Sequence, residues 1–341
     1  MADRLRWGIL GTGNIARQFS AGVAASRRGA LAAVASRQQA SADAFAKAFQ
    51  IPVALGDYAA LLARADVDAV YVSLPNSLHH AWTIAALKAG KHVLCEKPFA
   101  VTPAEADEMF DVASSAGRVV MEAFMYRCHP QTLAVQQAIA DGQIGDVRQV
   151  RTSFCYRTTK VAGNVRFDPT LAGGALMDVG CYALSFSRLL LGEPTAGSAA
   201  GTVHPTGVDD LCTGWLAFAG GAVASFTVGT GVQANNTAYV CGTEGYIEIP
   251  VPWKPPVEGG QYVLAYATPP KQDAPPGGGA APVPPPRQTV QLPPAGDLYG
   301  IEADDFAGHV LDGTPVRVTR ADTMGNTVWL ERFRKQIGLA Y

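Results

Sequence analysis

Asp178 and Tyr182 stand four residues apart in Gly173-Gly174-Ala175-Leu176-Met177-Asp178-Val179-Gly180-Cys181-Tyr182. On a helix that spacing puts a carboxylate and a phenol on one face, one turn from each other. Together they could hold a substrate hydroxyl and pass on its proton. The alternative is that Asp178 serves the helix amino end while Tyr182 packs in an interface. A second reactive group is Glu96-Lys97-Pro98, directly after the apolar run 92–95. Pro98 biases Lys97 toward extended backbone. A lysine at the carboxyl end of a parallel strand lies where open sheets bind their ligands.

The third group is Gly11-Thr12-Gly13-Asn14-Ile15-Ala16, between the apolar run 5–10 and a helix-patterned segment. This is GxGxxA in its strand–turn–helix setting. Gly11 permits the tight turn, Gly13 lets backbone amides approach a pyrophosphate, and Ala16 lets the helix pack close. The helix amino end then faces the phosphates with its positive pole. Ser36-Arg37 closes the second strand, where an NAD site carries a carboxylate for the ribose hydroxyls. A guanidinium there can grip a 2′-phosphate instead, so the expected cofactor is NADP. His79 and His80 are adjacent and diverge, with no third ligand at sensible spacing, so no metal is expected.

These groups need a scaffold. Residues 1–125 alternate short apolar runs (5–10, 31–35, 69–73, 92–95 and 119–124) with helical patterns. Ala42, Phe45, Ala46 and Phe49 share one helix face. Thr102-Pro103-Ala104-Glu105 supplies an N-cap, a proline at the first helical position and a glutamate at the third. Strand–helix alternation predicts a doubly wound parallel sheet, a Rossmann domain. From about residue 145 the pattern becomes consecutive strands with short turns: 146–157, 211–218, 222–230, 239–241 and 246–249. A main helix lies over 175–191. This predicts an α+β domain over 126–319, built on an open, mostly antiparallel sheet. Residues 268–296 hold 10 prolines and 4 glycines among 29 residues and are expected to form a surface loop. Helices are expected over 300–311 and 320–337, with 320–341 packing back toward the N-terminal domain.

Composition narrows the classes. The 341 residues carry 27 Lys+Arg against 29 Asp+Glu, a net charge of −2, so no basic field invites nucleic acid. Six dispersed cysteines without a CxxC argue against a disulfide scaffold or structural zinc. The charged start MADRLRWGILG does not read as a signal peptide, and no unbroken run of 18 apolar residues is found. A soluble, cytoplasmic, two-domain protein without a membrane partner is expected.

The turn Gly11–Ala16, Val72-Ser73-Leu74-Pro75-Asn76 with His79, and Gly90-Lys91-His92-Val93-Leu94-Cys95-Glu96-Lys97-Pro98 together resemble the Gfo/Idh/MocA oxidoreductases. Glu122-Ala123-Phe124-Met125-Tyr126-Arg127 and the segment 174–182 fit the same family, and the tyrosine in the latter looks most like dimeric dihydrodiol and xylose dehydrogenases. The resemblance implies that Lys97 is catalytic, with Asp178 and Tyr182 facing the nicotinamide. It places Leu74, Pro75, Asn76, His79 and Glu96 against the cofactor. Tyr126 and Arg127 would bind substrate hydroxyls or bridge the domains. The implied activity is hydride transfer between NADP and a carbinol carbon of a sugar, polyol or trans-dihydrodiol, with Lys97 and Tyr182 handling the proton. Lys97, beside the Tyr182 phenol and a cationic nicotinamide, is expected to have a lowered proton affinity. A homodimer or homotetramer through the C-terminal sheet is implied as well. A redox-assisted NAD-dependent glycosidase and a non-enzymatic nucleotide-sensing regulator are the competing readings. The second would be expected to lack Lys97 or the Asp178–Tyr182 pair.

Overall fold

The computed structural model describes residues 4–266, 285–339 and 341. Six strands form the first sheet: β1 (Leu5–Leu10), β2 (Gly29–Ala35), β3 (Val53–Leu55), β4 (Ala69–Val72), β5 (His92–Glu96) and β6 (Val120–Ala123). They are all parallel, in the order β3-β2-β1-β4-β5-β6. The chain reverses direction of growth between β1 and β4, and the crevice beyond the carboxyl ends there is the ligand position of this topology. Trp7, Phe19 and Tyr71 lock the first helix (Asn14–Ala25) onto the sheet, Phe19 stacking on Tyr71 at 3.8 Å. The three-residue β3 is too short for a periodic signal and was not expected.

Eight strands form the second sheet: β7 (Val147–Cys155), β8 (Pro194–Val203), β9 (Asp209–Phe218), β10 (Val223–Gly229), β11 (Ala238–Gly242), β12 (Gly245–Ile249), β13 (Gln261–Tyr266) and β14 (Arg287–Gln291). Their order is β14-β13-β12-β11-β7-β10-β9-β8, antiparallel except for the β7–β10 pair. One face is buried through Cys212, Leu216, Phe226, Val228 and Val240, while Trp215 and Val223 on the other face are exposed. The expected loop over 268–296 needs correction at its end. Arg287–Gln291 pairs antiparallel with β13, because this five-residue run is free of proline and glycine. Residues 268–284 of that expectation lie outside the described residues.

The main helix of the second half is not uniform. Leu176–Gly180 is a π-turn, and an α-helix follows over Cys181–Leu191. The stretch Pro169–Leu191 is apolar enough in composition to match a membrane span, yet 78% of its most apolar window is buried inside the fold. After the second sheet the chain returns to the first. Helix Leu298–Asp312 lies so close to the first helix that a Cβ on Gly22 would sit 2.5 Å from Gly300 N. Helix Arg320–Gln336 is tied to the same half by Arg320 with Asp107 and Asp111, and by Thr323 with Glu122.

Candidate active site

The carboxyl ends of β1, β2, β4 and β5 open into a cavity of about 790 Å³ whose other wall comes from the second half of the chain. Gly11 has φ +102°, and a side chain there would meet Ser73 and Leu74 at 3.0–3.2 Å. Glycine is therefore required at the turn. A Cβ on Gly13, by contrast, would touch nothing within 4 Å: it would point into open cavity. The first helix has no side-chain cap and no acidic residue in its first turn. Its free N–H groups and positive pole thus face a space shaped for an anion. Thr12, Asn14 and Ile15 line the same stretch, Ser36 and Arg37 one end, and Leu74, Pro75 and Asn76 the adjoining wall. Arg37 has no carboxylate partner among the described residues, and Tyr58 lies beside it. The residues present fit a dinucleotide.

At the other end lies Lys97, on a cis Lys97-Pro98 bond. Its Nζ donates to Asp178 O at 2.7 Å and to Asp178 Oδ1 at 3.2 Å. Asp178 Oδ2 accepts from Arg166 Nε at 2.7 Å and from the Tyr156 hydroxyl. Asp178 lies within the π-turn and offers Lys97 both its carbonyl and its carboxylate. Burial disfavours the Asp178 carboxylate, but Lys97 and Arg166 together hold it well below the ordinary range. Burial likewise disfavours charge on Lys97, yet Asp178, then Cys181 and Glu96, raise its proton affinity above that of ordinary lysine. The expected lowering, argued from a neighbouring phenol and a cationic nicotinamide, left out this ion pair with Asp178. Glu96 lies behind Lys97, accepting from the Lys97 N–H at 3.1 Å and from the Tyr71 hydroxyl, and burial pushes its carboxyl up.

The expected contact between Lys97 and the Tyr182 hydroxyl is replaced by another. Lys97 Nζ stands 5.1 Å from the centre of the Tyr182 ring, while the hydroxyl points to Met125 Sδ at 3.4 Å. Tyr182 lines the cavity with Lys97 and Asp178, packed against Phe124, Phe154 and Trp253, and burial keeps its phenol well above its ordinary pKa. The phenol that meets Asp178 is Tyr156.

Three expected contacts are corrected. His79 is fully buried and does not line the cavity; its ring nitrogens meet Pro98 O at 2.9 Å and Leu74 O at 2.8 Å. It shapes the two cavity-lining segments rather than touching a cofactor. Tyr126 is buried with its hydroxyl 2.8 Å from Ser185, and Arg127 is paired with Asp322 at 3.2 Å. Both are engaged in packing, which is the bridging alternative. Sequence reasoning missed Tyr156, Arg166, Lys254, Gln18 and Tyr299, all of which line the cavity. Tyr156 follows an ordinary alternating strand, Arg166 sits in a single 3-10 turn (Val165–Phe167) and Lys254 in a loop, so no spacing marked them.

Comparison with known proteins identifies the scaffold. Residues 5–124 match the Gfo/Idh/MocA oxidoreductase family, NAD-binding Rossmann fold, and residues 132–248 match the GFO/IDH/MocA C-terminal domain. The chain belongs to the Gfo/Idh/MocA oxidoreductases. It is 45% identical over 222 residues to D-xylose 1-dehydrogenase (NADP(+)) 2 of Haloferax volcanii, covering 64% of this chain and 68% of that one. It is 37% identical over 255 residues to the trans-1,2-dihydrobenzene-1,2-diol dehydrogenase of Mus musculus, covering 74% and 76%. Among solved structures, the 3-ketoreductase KijD10 of Actinomadura kijaniata, in complex with NADP and TDP-benzene, superposes with a TM-score of 0.86 at 30% identity, covering 98% of each chain.

Proposed function

We propose that this oxidoreductase interconverts a carbinol and a carbonyl in a sugar, polyol or vicinal diol, using NADP and Lys97 as the proton-handling group. The observation that carries the reading is the position of Lys97 Nζ, held by Asp178 in the same cavity as the Gly11–Ala16 turn. When bound, the dinucleotide supplies or accepts a hydride at its nicotinamide ring. The turn and the first helix hold its diphosphate, and Arg37 takes the 2′-phosphate. Two of the three N–H groups of Lys97 go to Asp178, which leaves one for a substrate oxygen. The ammonium gives that oxygen a proton as a carbonyl is reduced, and its neutral form takes the proton back as a hydroxyl is oxidised. Tyr156 and Arg166 keep Asp178 anionic and in place, so Asp178 orients the lysine. Phe154, which lines the cavity and is backed by the buried Trp253 ring 5.7 Å behind it, supplies an apolar surface beside these polar groups. Such a pairing suits a ring that carries hydroxyls on one edge and C–H groups on its face. The relatives named for D-xylose and for a trans-dihydrodiol support that class of substrate.

The test is a panel of aldoses, polyols and trans-dihydrodiols assayed with NADP and with NAD through the reduced-nicotinamide absorbance. Turnover of a panel member with NADP preferred supports the reading. No turnover with either cofactor across the panel, or a firm NAD preference, contradicts it.

Two further features belong to the proposal. The exposed face of the second sheet, with Trp215 47% and Val223 41% exposed, pairs with a second copy. Trp215→Arg should then lower the mass seen by light scattering, and an unchanged monomeric mass in both proteins would rule the pairing out. Six cysteines without disulfides, five of them buried, fit a reducing cytoplasm.

A further inference from the structure

Lys254 lies in the loop between β12 and β13, on the wall of the cavity contributed by the second half of the chain. Its loop is firmly held. Neighbouring Trp253 is buried and donates through Nε1 to Ser153 O at 2.9 Å, and Pro252, Pro255 and Pro256 flank the pair. The lysine therefore projects from a stiff base, and little ordering remains to be done when it takes a ligand.

Its partner is a poor one. Lys254 Nζ donates to the neutral Gln18 Oε1 at 3.3 Å, an oxygen also taken by the Tyr299 hydroxyl at 3.3 Å. No carboxylate lies within ion-pair distance of it among the described residues. A cation so placed gains when an anion replaces a long contact to an amide. Gln18 stands four residues beyond Asn14, about 6 Å along the first helix from its amino end. That distance is within the swing of a lysine side chain.

We propose that Lys254 binds the diphosphate of the dinucleotide, exchanging its Gln18 contact for a phosphate oxygen and latching the cofactor from the side opposite the Gly11–Ala16 turn. The proposal rests on the dinucleotide reading of the cavity and adds a contact from the half of the chain that does not carry the fingerprint. It also separates two cations by what they read. Arg37, at the far end, serves the 2′-phosphate, which only NADP has; Lys254 serves a group that NAD and NADP share.

The experiment measures binding of NADPH and NADH through their fluorescence, in wild type, Lys254→Met and Lys254→Arg. Lys254→Met should weaken both dinucleotides about 10-fold and by the same factor, with Lys254→Arg recovering most of it. The loss should shrink as salt is raised, since screening weakens an ammonium–phosphate attraction at a half-open site. Affinities within twofold of wild type would overturn the latch. So would a loss confined to NADPH, or an unchanged cofactor affinity with a raised KM for the sugar or diol. A wild-type protein that bound neither dinucleotide would overturn the cofactor assignment itself, and the latch with it.

Discussion

Arg37→Ala tests the choice between the two nicotinamide cofactors. Arg37 ends the second strand's carboxyl side, lines the cavity and has no carboxylate partner among the described residues, so its guanidinium is available to a phosphate. Hydrogen bonds to a charged group contribute about 1.5–3 kcal/mol, a factor of about 10 to 150 in affinity. Arg37 is exposed, and solvent screening places the expected loss toward the lower end, about 10- to 30-fold. Tyr58 and Ser36 remain to hold the adenosine end in either case. The assay is isothermal titration of wild type and Arg37→Ala with NADP and with NAD. NADP should lose that factor, while NAD should change less than twofold because it lacks the group being read. Equal losses for both cofactors would show that Arg37 shapes the pocket and does not read the 2′-phosphate.

Asp178→Asn should move the pH profile of substrate oxidation to lower pH, because the carboxylate that raises the proton affinity of Lys97 is gone while burial and Arg166 still oppose its charge; an unmoved or rising profile would contradict the ion-pair account. Glu122 is fully buried, accepting from Phe99 N at 3.0 Å and Thr323 Oγ1 at 2.9 Å, and burial pushes its pKa from 4.5 up to about 7. The folded state thus holds this proton more tightly than the unfolded chain, so the contribution is full below 4.5 and lost as pH rises through about 7. Glu122→Gln should leave stability at pH 4 nearly unchanged and raise it at pH 8 by up to about 3 kcal/mol in urea unfolding. Equal stability of the two proteins at pH 8 would show that Glu122 ionises without cost.

Much of this architecture is legible in residue order. The fingerprint worked because GxGxxA ties each small residue to a steric demand: Gly11 to a positive φ, Gly13 to an open cradle and Ala16 to helix–strand contact. The capping box at Thr102 and Glu105 forms as its local chemistry dictates, needing nothing from the rest of the fold. Consecutive strand-like runs with short turns marked β7, β9 and β10, whose sheet has one buried and one open face. What stayed hidden depends on tertiary meeting points. A π-turn has no periodic signature, so Asp178 and Tyr182 read as neighbours on one regular helix, and the partnership of Asp178 with Tyr156 and Arg166 could not be inferred. Tyr126 and Arg127 carry groups that suit a substrate, and only burial shows that Ser185 and Asp322 already occupy them. β14 was hidden by its surroundings, since proline density on both sides masked a short edge strand.

The central claim is that Lys97 moves the substrate proton in a site whose dinucleotide binding is carried elsewhere. Lys97→Met keeps much of the side chain's length and removes its charge and its proton. The most direct measurement is turnover of a confirmed substrate by Lys97→Met, alongside NADP affinity from titration of the same protein. Turnover should fall by roughly 10²- to 10⁴-fold, the usual worth of general acid–base help, with NADP affinity retained within a few-fold. Near-normal turnover would contradict the account, leaving Lys97 a structural partner of Asp178 and the proton-transfer group elsewhere in the cavity.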